Sequence, residues 1–281
     1  MLPSDKPTPD ATRSGMFCAV RKLIGPDGLA HEPESPENSS GLYDPFAWIY
    51  NQDWGEDYHR QIDAVLELLL YPYLPARASV LDLCCGGGHV TQLVAARGYR
   101  ITGIDGSEEM LRYARERVPE GRFLCADARN FTLEPRVDAV LSTYDSLNHI
   151  MSVAELEQVF ACVREALQPG GRFLFDMNDD DAYTEPWTHI GSSPDRTRHW
   201  VANGACDPVS RVARCEIEEM WRVDGEWQRR TFLLDQRCYS TAEVLGALTA
   251  AGFRECRAQP AAELGMRRAT AEGRVFYSAL A

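Results

Sequence analysis

The sequence predicts an α/β fold in which a largely parallel β-sheet carries helices on both faces. Short apolar segments alternate along the chain with stretches of helical spacing. One of them, residues 137–144, is an apolar run of the kind that is buried on both faces of a parallel sheet. Another, residues 80–83, leads into three consecutive glycines and then a helix. At 281 residues and 44% hydrophobic positions, the chain can bury the core of one such domain with an insertion.

The first two predicted strands indicate a nucleotide-type site. Residues 80–83 end at Gly86-Gly87-Gly88, where the absence of Cβ atoms permits a tight turn and close approach to a ligand. The next helix presents free N–H groups to a polar ligand. Residues 99–105 form a second strand that ends in Asp105, at a distance where an acid commonly binds both ribose hydroxyls. We therefore expect a nucleoside-bearing cofactor.

The glycine cluster distinguishes between two cofactor classes. A dinucleotide site requires Gly-x-Gly-x-x-Gly, and Thr91 stands where the third glycine belongs. By contrast, Asp82, Cys84, Gly86 and Gly88 resemble motif I of the class I S-adenosylmethionine-dependent methyltransferases, acid-x-Gly-x-Gly-x-Gly, with Cys84 replacing the first glycine. The resemblance extends from about residue 42 to the C-terminus.

Two further motifs are similar to this family. Asp127-Ala128 follows a third strand, where the family places an acid against the exocyclic amine of adenine. A Leu-x-Pro-Gly-Gly break precedes a fifth strand over residues 172–176. The resemblance implies a Rossmann-like seven-stranded sheet with helices on both faces, which ends in strands near residues 253–259 and 274–280, the last one antiparallel.

Residues 43–54 are densely aromatic. These rings can pack the first helix onto the sheet, or they can form a lid over the cofactor, as the equivalent segment does in small-molecule methyltransferases of this type. Aromatic faces suit a lid because they stabilise a sulfonium cation once water is excluded. The residues that we expect to bind the cofactor are Tyr43, Tyr50, Trp54, Asp82, Cys84, Gly86, Gly88, Asp105, Gly106, Met110, Asp127, Ala128, Ser142 and Tyr144.

Residues 178–240 interrupt the expected order of elements. Residues 211–223 and 227–239 alternate with period two around the turn Asp224-Gly225-Glu226, which predicts a hairpin. We expect an inserted antiparallel sheet that covers the carboxyl edge of the main sheet and closes the acceptor pocket. The predicted organisation is a flexible leader over 1–40, a methyltransferase domain over 41–177 and 241–281, and the substrate-covering insertion over 178–240.

Residues after the fourth and fifth strands are the candidates for chemistry. Methyl transfer from a sulfonium requires alignment of donor and acceptor, and a general base where the acceptor is an ammonium or an alcohol. We expect His149 and Asp145 to be catalytic, and Asn148, Asp176 and Asn178 to orient the acceptor. We expect no metal ion.

Composition restricts the partners. A formal net charge of −13 argues against nucleic acid, whose phosphates are bound by Lys and Arg. The sequence has no membrane-length apolar stretch and no signal-peptide core near Met1. Nine cysteines without a Cys-x-x-Cys pair are typical of reduced thiols in the cytoplasm. We expect a cytoplasmic protein with a small-molecule acceptor and no nucleic-acid or membrane partner; a homodimer is compatible with the sequence.

The resemblance implies an enzyme that transfers a methyl group from S-adenosylmethionine to a nitrogen or oxygen of a small polar metabolite. The aromatic segment and residues 144–149 are loosely similar to those of glycine and sugar-amine N-methyltransferases and of natural-product tailoring enzymes. Three alternatives remain open. They are methylation of a protein or peptide side chain, binding of the cofactor without turnover, and a nicotinamide-dependent dehydrogenase.

Overall fold

The computed structural model describes residues 43–52, 54 and 56–281 of the chain. The leader expected over residues 1–40 lies outside them. The helices are α1 (Ala47–Gln52), α2 (Glu56–Leu69), α3 (His89–Ala96), α4 (Glu108–Arg117), α5 (Val153–Ala166), α6 (Thr241–Ala250) and α7 (Arg268–Ala271). The strands are β1 (Ser79–Leu83), β2 (Arg100–Asp105), β3 (Arg122–Cys125), β4 (Val137–Ser142), β5 (Leu167–Asn178), β6 (Trp187–Ser192), β7 (Arg198–Asp207), β8 (Val212–Val223), β9 (Glu226–Arg237), β10 (Arg254–Pro260) and β11 (Arg274–Leu280).

A seven-stranded sheet forms the centre of the described structure, in the order β10-β11-β5-β4-β1-β2-β3. Strands β1 to β5 are parallel, and β11 runs antiparallel to both of its neighbours, β5 and β10. This arrangement confirms the predicted fold class. Because β1 to β5 are parallel, their carboxyl ends meet at one edge, where a ligand site is expected.

Helices cover both faces of this sheet because their apolar residues recur at helical spacing. In α5, Leu156, Val159, Phe160 and Val163 are buried, and the Ser152 hydroxyl accepts a hydrogen bond from the Glu155 amide to cap the helix. The helix ends at Ala166, before the Pro169-Gly170-Gly171 segment that was expected to break it. None of the helices in the described ranges is long and apolar enough to cross a bilayer.

The boundaries of β5 differ from the expectation. The sequence predicted a strand over residues 172–176, but the strand extends from Leu167 to Asn178 and includes the Pro-Gly-Gly segment. Leu167 already pairs with Val137 of β4, and the register then shifts before Arg172 pairs with Ala139. The extra residues are accommodated as an irregularity in the pairing, so the strand continues through them.

A second, four-stranded antiparallel sheet has the order β6-β7-β8-β9; we call it the inserted sheet. The predicted hairpin joins β8 to β9 through Asp224 and Gly225, whose φ angles of 50° and 90° are those of a type I′ turn. The inner face of the inserted sheet packs on helix α1, where Trp200, Ile217 and Leu234 share one buried cluster with Phe46 and Ile49. The aromatic segment is therefore enclosed between this sheet and the main one.

Replacement of Gly88 by alanine should destabilise the fold more than the same change at Gly98. Both glycines have positive φ, 79° and 82°, which costs an alanine about 1–2 kcal/mol. Only at Gly88 would the new Cβ also lie 3.0 Å from Ala114 of α4, whereas nothing lies within 4 Å at Gly98. We expect a loss of about 2–4 kcal/mol for Gly88→Ala and about 1–2 kcal/mol for Gly98→Ala in urea unfolding. Equal losses would show that the contact with α4 is unimportant.

Candidate functional site

A cavity of about 360 Å³ opens at the carboxyl edge of the main sheet, bounded by the aromatic segment and the inserted sheet. This volume lies in the usual range for a small-molecule site. Most of the predicted site residues line it, namely Tyr43, Tyr50, Trp54, Cys84, Gly86, Asp105, Gly106, Met110, Asp127, Ala128, Tyr144, Asp145, His149 and Asn178. The predicted residues that do not line it are Asp82, Gly88, Ser142, Asn148 and Asp176.

Asp105 connects the second strand to the glycine turn. Its Oδ2 accepts a hydrogen bond from the Gly86 amide at 2.8 Å, and its Oδ1 accepts one from the Ser107 amide at 2.9 Å. Burial raises the pKa of this carboxyl to about 6, against the lowering effect of the two amides. Each carboxylate oxygen has a second lone pair, so the group retains acceptor capacity toward a ligand in the cavity.

Asp82 lies behind the glycine turn. Its Oδ2 accepts a 2.6 Å hydrogen bond from the Thr91 hydroxyl, and burial raises the pKa of this carboxyl to about 7. Thr91, which breaks the dinucleotide pattern in the sequence, is thus the partner of the motif's acid. Cys84, which replaces the first glycine of the family pattern, has φ of 59°, in the left-handed region that favours glycine. Asp82 and Cys84 therefore shape the glycine turn.

Asp127 is held by a cation that the sequence analysis did not single out. Arg129 donates to both of its carboxylate oxygens, from Nε at 3.0 Å and from Nη2 at 2.6 Å, and also pairs with Glu155 at 2.6 Å. Both Asp127 and Arg129 line the cavity. The pair fixes the orientation of the carboxylate beside Ala128.

The contacts of His149 define its protonation state. Its Nδ1 lies 2.7 Å from the Asp235 carbonyl oxygen, which can only accept, so Nδ1 carries the hydrogen. The Nε2 lone pair then accepts from the Tyr43 hydroxyl and from Gln236 Nε2, the latter at 3.1 Å. Burial lowers the pKa of this imidazole, against the raising effect of Asp145. His149 is therefore neutral at pH 7, with a basic nitrogen in the cavity.

Asp176 and Asn148 are buried next to the turn that carries Asp145 and His149 into the cavity. Asp176 is fully buried and accepts hydrogen bonds from the Tyr58 hydroxyl and the Tyr144 amide, both at 2.7 Å, and from the Asp145 amide at 3.1 Å. The side chain of Asn148 makes three hydrogen bonds to the main chain. Its Nδ2 donates to the carbonyl oxygens of Asn178 and Arg237, and its Oδ1 accepts from the Asn178 amide. In these positions both side chains hold the backbone that surrounds the cavity.

Arg274 is the cation of this buried network. It forms ion pairs with Asp176 and, at 2.8 Å, with Asp145, and it is only 7% exposed. The turn that it stabilises contains Tyr144 and Asp145 with φ of 63° and 50°, an unfavourable conformation for non-glycine residues that persists when the surrounding contacts hold it. Gln236 extends the network, since its Nε2 donates to Asp145 Oδ2 at 2.6 Å.

Sequence reasoning missed Arg129, Gln236 and Arg274. Arg129 lies two residues after the Asp127-Ala128 motif, so an Asp-x-Arg spacing was a usable signal. Gln236 and Arg274 are polar residues at the end of one strand and the start of another, and their partners lie 91 and 129 positions away. No local pattern indicates such pairs.

Comparison with known proteins finds methyltransferases among the proteins similar to this chain. The family described as "Methyltransferase domain" matches residues 80–171. YqeM of Bacillus subtilis (strain 168), whose name describes it as a methyltransferase, is 28% identical over an alignment of 207 positions that covers 69% of this chain and 82% of that protein. The dTDP-3-amino-3,6-dideoxy-alpha-D-glucopyranose N,N-dimethyltransferase of Streptomyces fradiae is 34% identical over 147 residues, 52% of each chain. The crystal structure of Streptomyces venezuelae DesVI superposes with a TM-score of 0.66 at 22% identity, covering 89% of this chain and 99% of that one.

Replacement of Arg274 by methionine should strongly destabilise the protein, because it leaves Asp145 and Asp176 buried without their cation. Removal of one partner from a buried ion pair lowers the free energy of unfolding by about 3–5 kcal/mol. Arg97, which is partly exposed and pairs with Asp63, provides a control whose removal should lower it by only about 0–1 kcal/mol. Urea unfolding of Arg274→Met and Arg97→Met measures both.

The same variant should show a changed pH dependence. Without Arg274 the pKa of Asp176, already raised by burial, rises further above its unfolded value. The resulting destabilisation is therefore present at high pH and decreases as the pH falls and the carboxyl is protonated. A deficit in unfolding free energy that stays constant from pH 8 to pH 5 would contradict this account.

Proposed function

We propose that this chain is an S-adenosylmethionine-dependent methyltransferase that transfers a methyl group from that cofactor to a nitrogen or oxygen of a small polar metabolite by in-line displacement. The observation that carries the proposal is a single cavity lined by Asp105, the last residue of β2, and by Asp145 and His149, which follow β4. Relatives named for a sugar amine and for trans-aconitate support a small-molecule acceptor.

The residues present fit the cofactor. Asp105 has free acceptor capacity for a pair of hydroxyls, and Asp127 beside Ala128 provides a fixed acceptor for an exocyclic amine. The aromatic rings of Tyr43 and Tyr50 line the same cavity and provide π faces for a cationic centre. When bound, the cofactor supplies a methyl group activated by a positively charged sulfur.

The role that we assign to the protein is alignment, exclusion of water and removal of one proton. In-line displacement requires little covalent chemistry from the enzyme, because positioning lowers most of the barrier. His149 presents Nε2 as a base, and its Nδ1 is held by the Asp235 carbonyl. The Tyr43 hydroxyl donates to the lone pair of His149 Nε2, so the N–H or O–H of the acceptor has to displace this hydroxyl. Asp145, fixed by Arg274 and Gln236, orients the acceptor.

Replacement of Asp105 by asparagine should weaken binding of S-adenosylhomocysteine by about 1–3 kcal/mol, which is the range for a hydrogen bond to a charged group. In the wild type, affinity should also fall as the pH drops through about 6, because protonation of Asp105 removes acceptor capacity. Isothermal titration between pH 5 and pH 8 measures both effects. The asparagine variant should lack this pH dependence.

Asp138 provides a matched control, because it lies on β4 and accepts hydrogen bonds from the Ser79 amide and hydroxyl outside the cavity. Asp138→Asn should leave the affinity for S-adenosylhomocysteine unchanged. Tighter binding of NAD than of S-adenosylhomocysteine to the wild type would refute the proposed function.

Replacement of His149 by alanine should lower kcat by about 10²–10⁴-fold while the affinity for S-adenosylhomocysteine stays the same, since loss of a general base affects only the transfer step. The substrate for this assay is the acceptor that is found by incubating a metabolite extract with radiolabelled donor.

His199→Ala serves as the control for His149→Ala, because His199 lies on β7 and its hydrogen bond is with the Arg196 carbonyl. Full activity of His149→Ala would exclude the base and leave alignment as the only role of this turn.

A further inference from the structure

The inner face of the inserted sheet forms an apolar ceiling over the cavity. Its strand register aligns Trp187, Gly204, Cys215 and Leu234 in one row across the four strands. Trp187, Cys215 and Leu234 line the cavity, and so does Ala213 of the next row. Small side chains at the centre of the ceiling leave space beneath it, while Trp187 bounds one end.

The indole of Trp187 is held in a defined orientation. The indole packs directly against the backbone of Gly204. A Cβ added at Gly204 would lie only 2.0–2.5 Å from three atoms of the ring. Only glycine permits this approach between paired residues of two strands. The ring is therefore oriented before any ligand binds, and such preorganisation reduces the entropy lost on binding.

Two other rings extend this wall. Trp54 lies with its ring centroid 5.1 Å from that of His189 and 6.5 Å from that of Trp187, and the centroids of Trp187 and His189 are 5.4 Å apart. All three residues line the cavity. We call them the aromatic wall. Trp54 belongs to the segment before α2, so the wall spans the aromatic segment and the inserted sheet.

The ceiling and the aromatic wall carry no formal charge. Burial lowers the pKa of His189, so its imidazole is neutral at pH 7. The ionised side chains that line the cavity are Asp105, Asp127, Arg129, Asp145 and Arg274, and all of them come from the main sheet and its connecting turns. A cationic or anionic group under the inserted sheet would lose hydration without gaining a counter-charge.

The polar end of the ceiling lies next to the proposed base. Gln236 pairs with Ala213 across β8 and β9, and its Nε2 reaches His149 Nε2 at 3.1 Å. A ligand group under Ala213 and Cys215 would thus be adjacent to the groups that bind and deprotonate the nucleophile.

We propose that the methyl acceptor contains a neutral planar ring, which binds between the aromatic wall and the ceiling while its nucleophile points to Asp145 and His149. This inference rests on the proposed function. It narrows the acceptor to molecules in which a polar nucleophile is attached to an aromatic group, as in phenols, aryl amines and arylalkylamines. Offset or edge-to-face contact with Trp54 and Trp187 then adds to the area buried.

Matched pairs of probes test this inference without knowledge of the natural acceptor. Tyramine, tryptamine and 2-naphthol are each compared with their ring-saturated analogues for binding to the complex of the protein with S-adenosylhomocysteine, by isothermal titration. We expect at least one planar probe to bind about two- to tenfold more tightly than its saturated analogue, because only the planar ring stacks. Choline and glucosamine, as a cation and a polar sugar, should bind more weakly.

Two variants locate the effect. Trp187→Leu and His189→Ala should each remove the preference for planar probes and leave the affinity for S-adenosylhomocysteine unchanged. His189→Ala is included because Trp187 also packs against the inserted sheet, so Trp187→Leu can destabilise the sheet itself. The control is Trp227→Leu, since Trp227 is exposed on β9 beside His199 and does not line the cavity. It should retain the preference.

The two proposals fail in different ways. If S-adenosylhomocysteine does not bind the wild-type protein, the proposed function is wrong. If it binds but no planar probe does, or the saturated analogues bind equally well, the ring inference is wrong and the function stands. Tightest binding by choline would instead assign a cation to the aromatic wall.

Discussion

One buried cation organises the part of the cavity that contains Asp145 and His149. The guanidinium of Arg274 lies between Asp176 and Asp145, and each of these carboxylates has a further task. Asp176 receives the main-chain amides of a turn in left-handed conformation, and Asp145 lines the cavity. Because the attraction between unlike charges is strong in a low-dielectric interior, the pairing offsets part of the cost of dehydration and holds the strained backbone of the turn. The position of His149, four residues further along, depends on the same turn.

The cavity has two chemically different regions. Around Asp105 and Asp127, carboxylates are fixed by main-chain amides and by Arg129, which suits a ligand with hydroxyl and amine donors. Under the inserted sheet the lining is aromatic or small and carries no ionised group. The separation follows from topology, since the parallel strands direct their carboxyl ends to one edge, whereas the antiparallel insertion presents alternate residues of its inner face.

The sequence predicted the fold well, and it also predicted that Gly86 and Asp105 lie together at the cavity, because both predictions depend on short local patterns. Strand ends followed by glycine or an acid are visible in a single sequence. The surroundings of Asp145 and His149 were less accessible. Asp176 and Asn148 were expected to touch the acceptor, and the structure buries both against the main chain. Gln236 and Arg274 were missed because their partners are set by the pairing of distant strands.

The origin of Arg274 in β11 has a consequence for assembly of the protein. Strand β11 inserts between β5 and β10, and it is the last strand in chain order. Until it docks, Asp145 and Asp176 repel each other, because the cation that pairs with both comes from β11. A state that contained β1 to β5 without β11 could still form the contact of Gly86 with Asp105, but Asp145 and Asp176 would lack their cation. Because Arg274 pairs with Asn178 of β5, the pairing of β11 with β5 and the neutralisation of these two acids occur together.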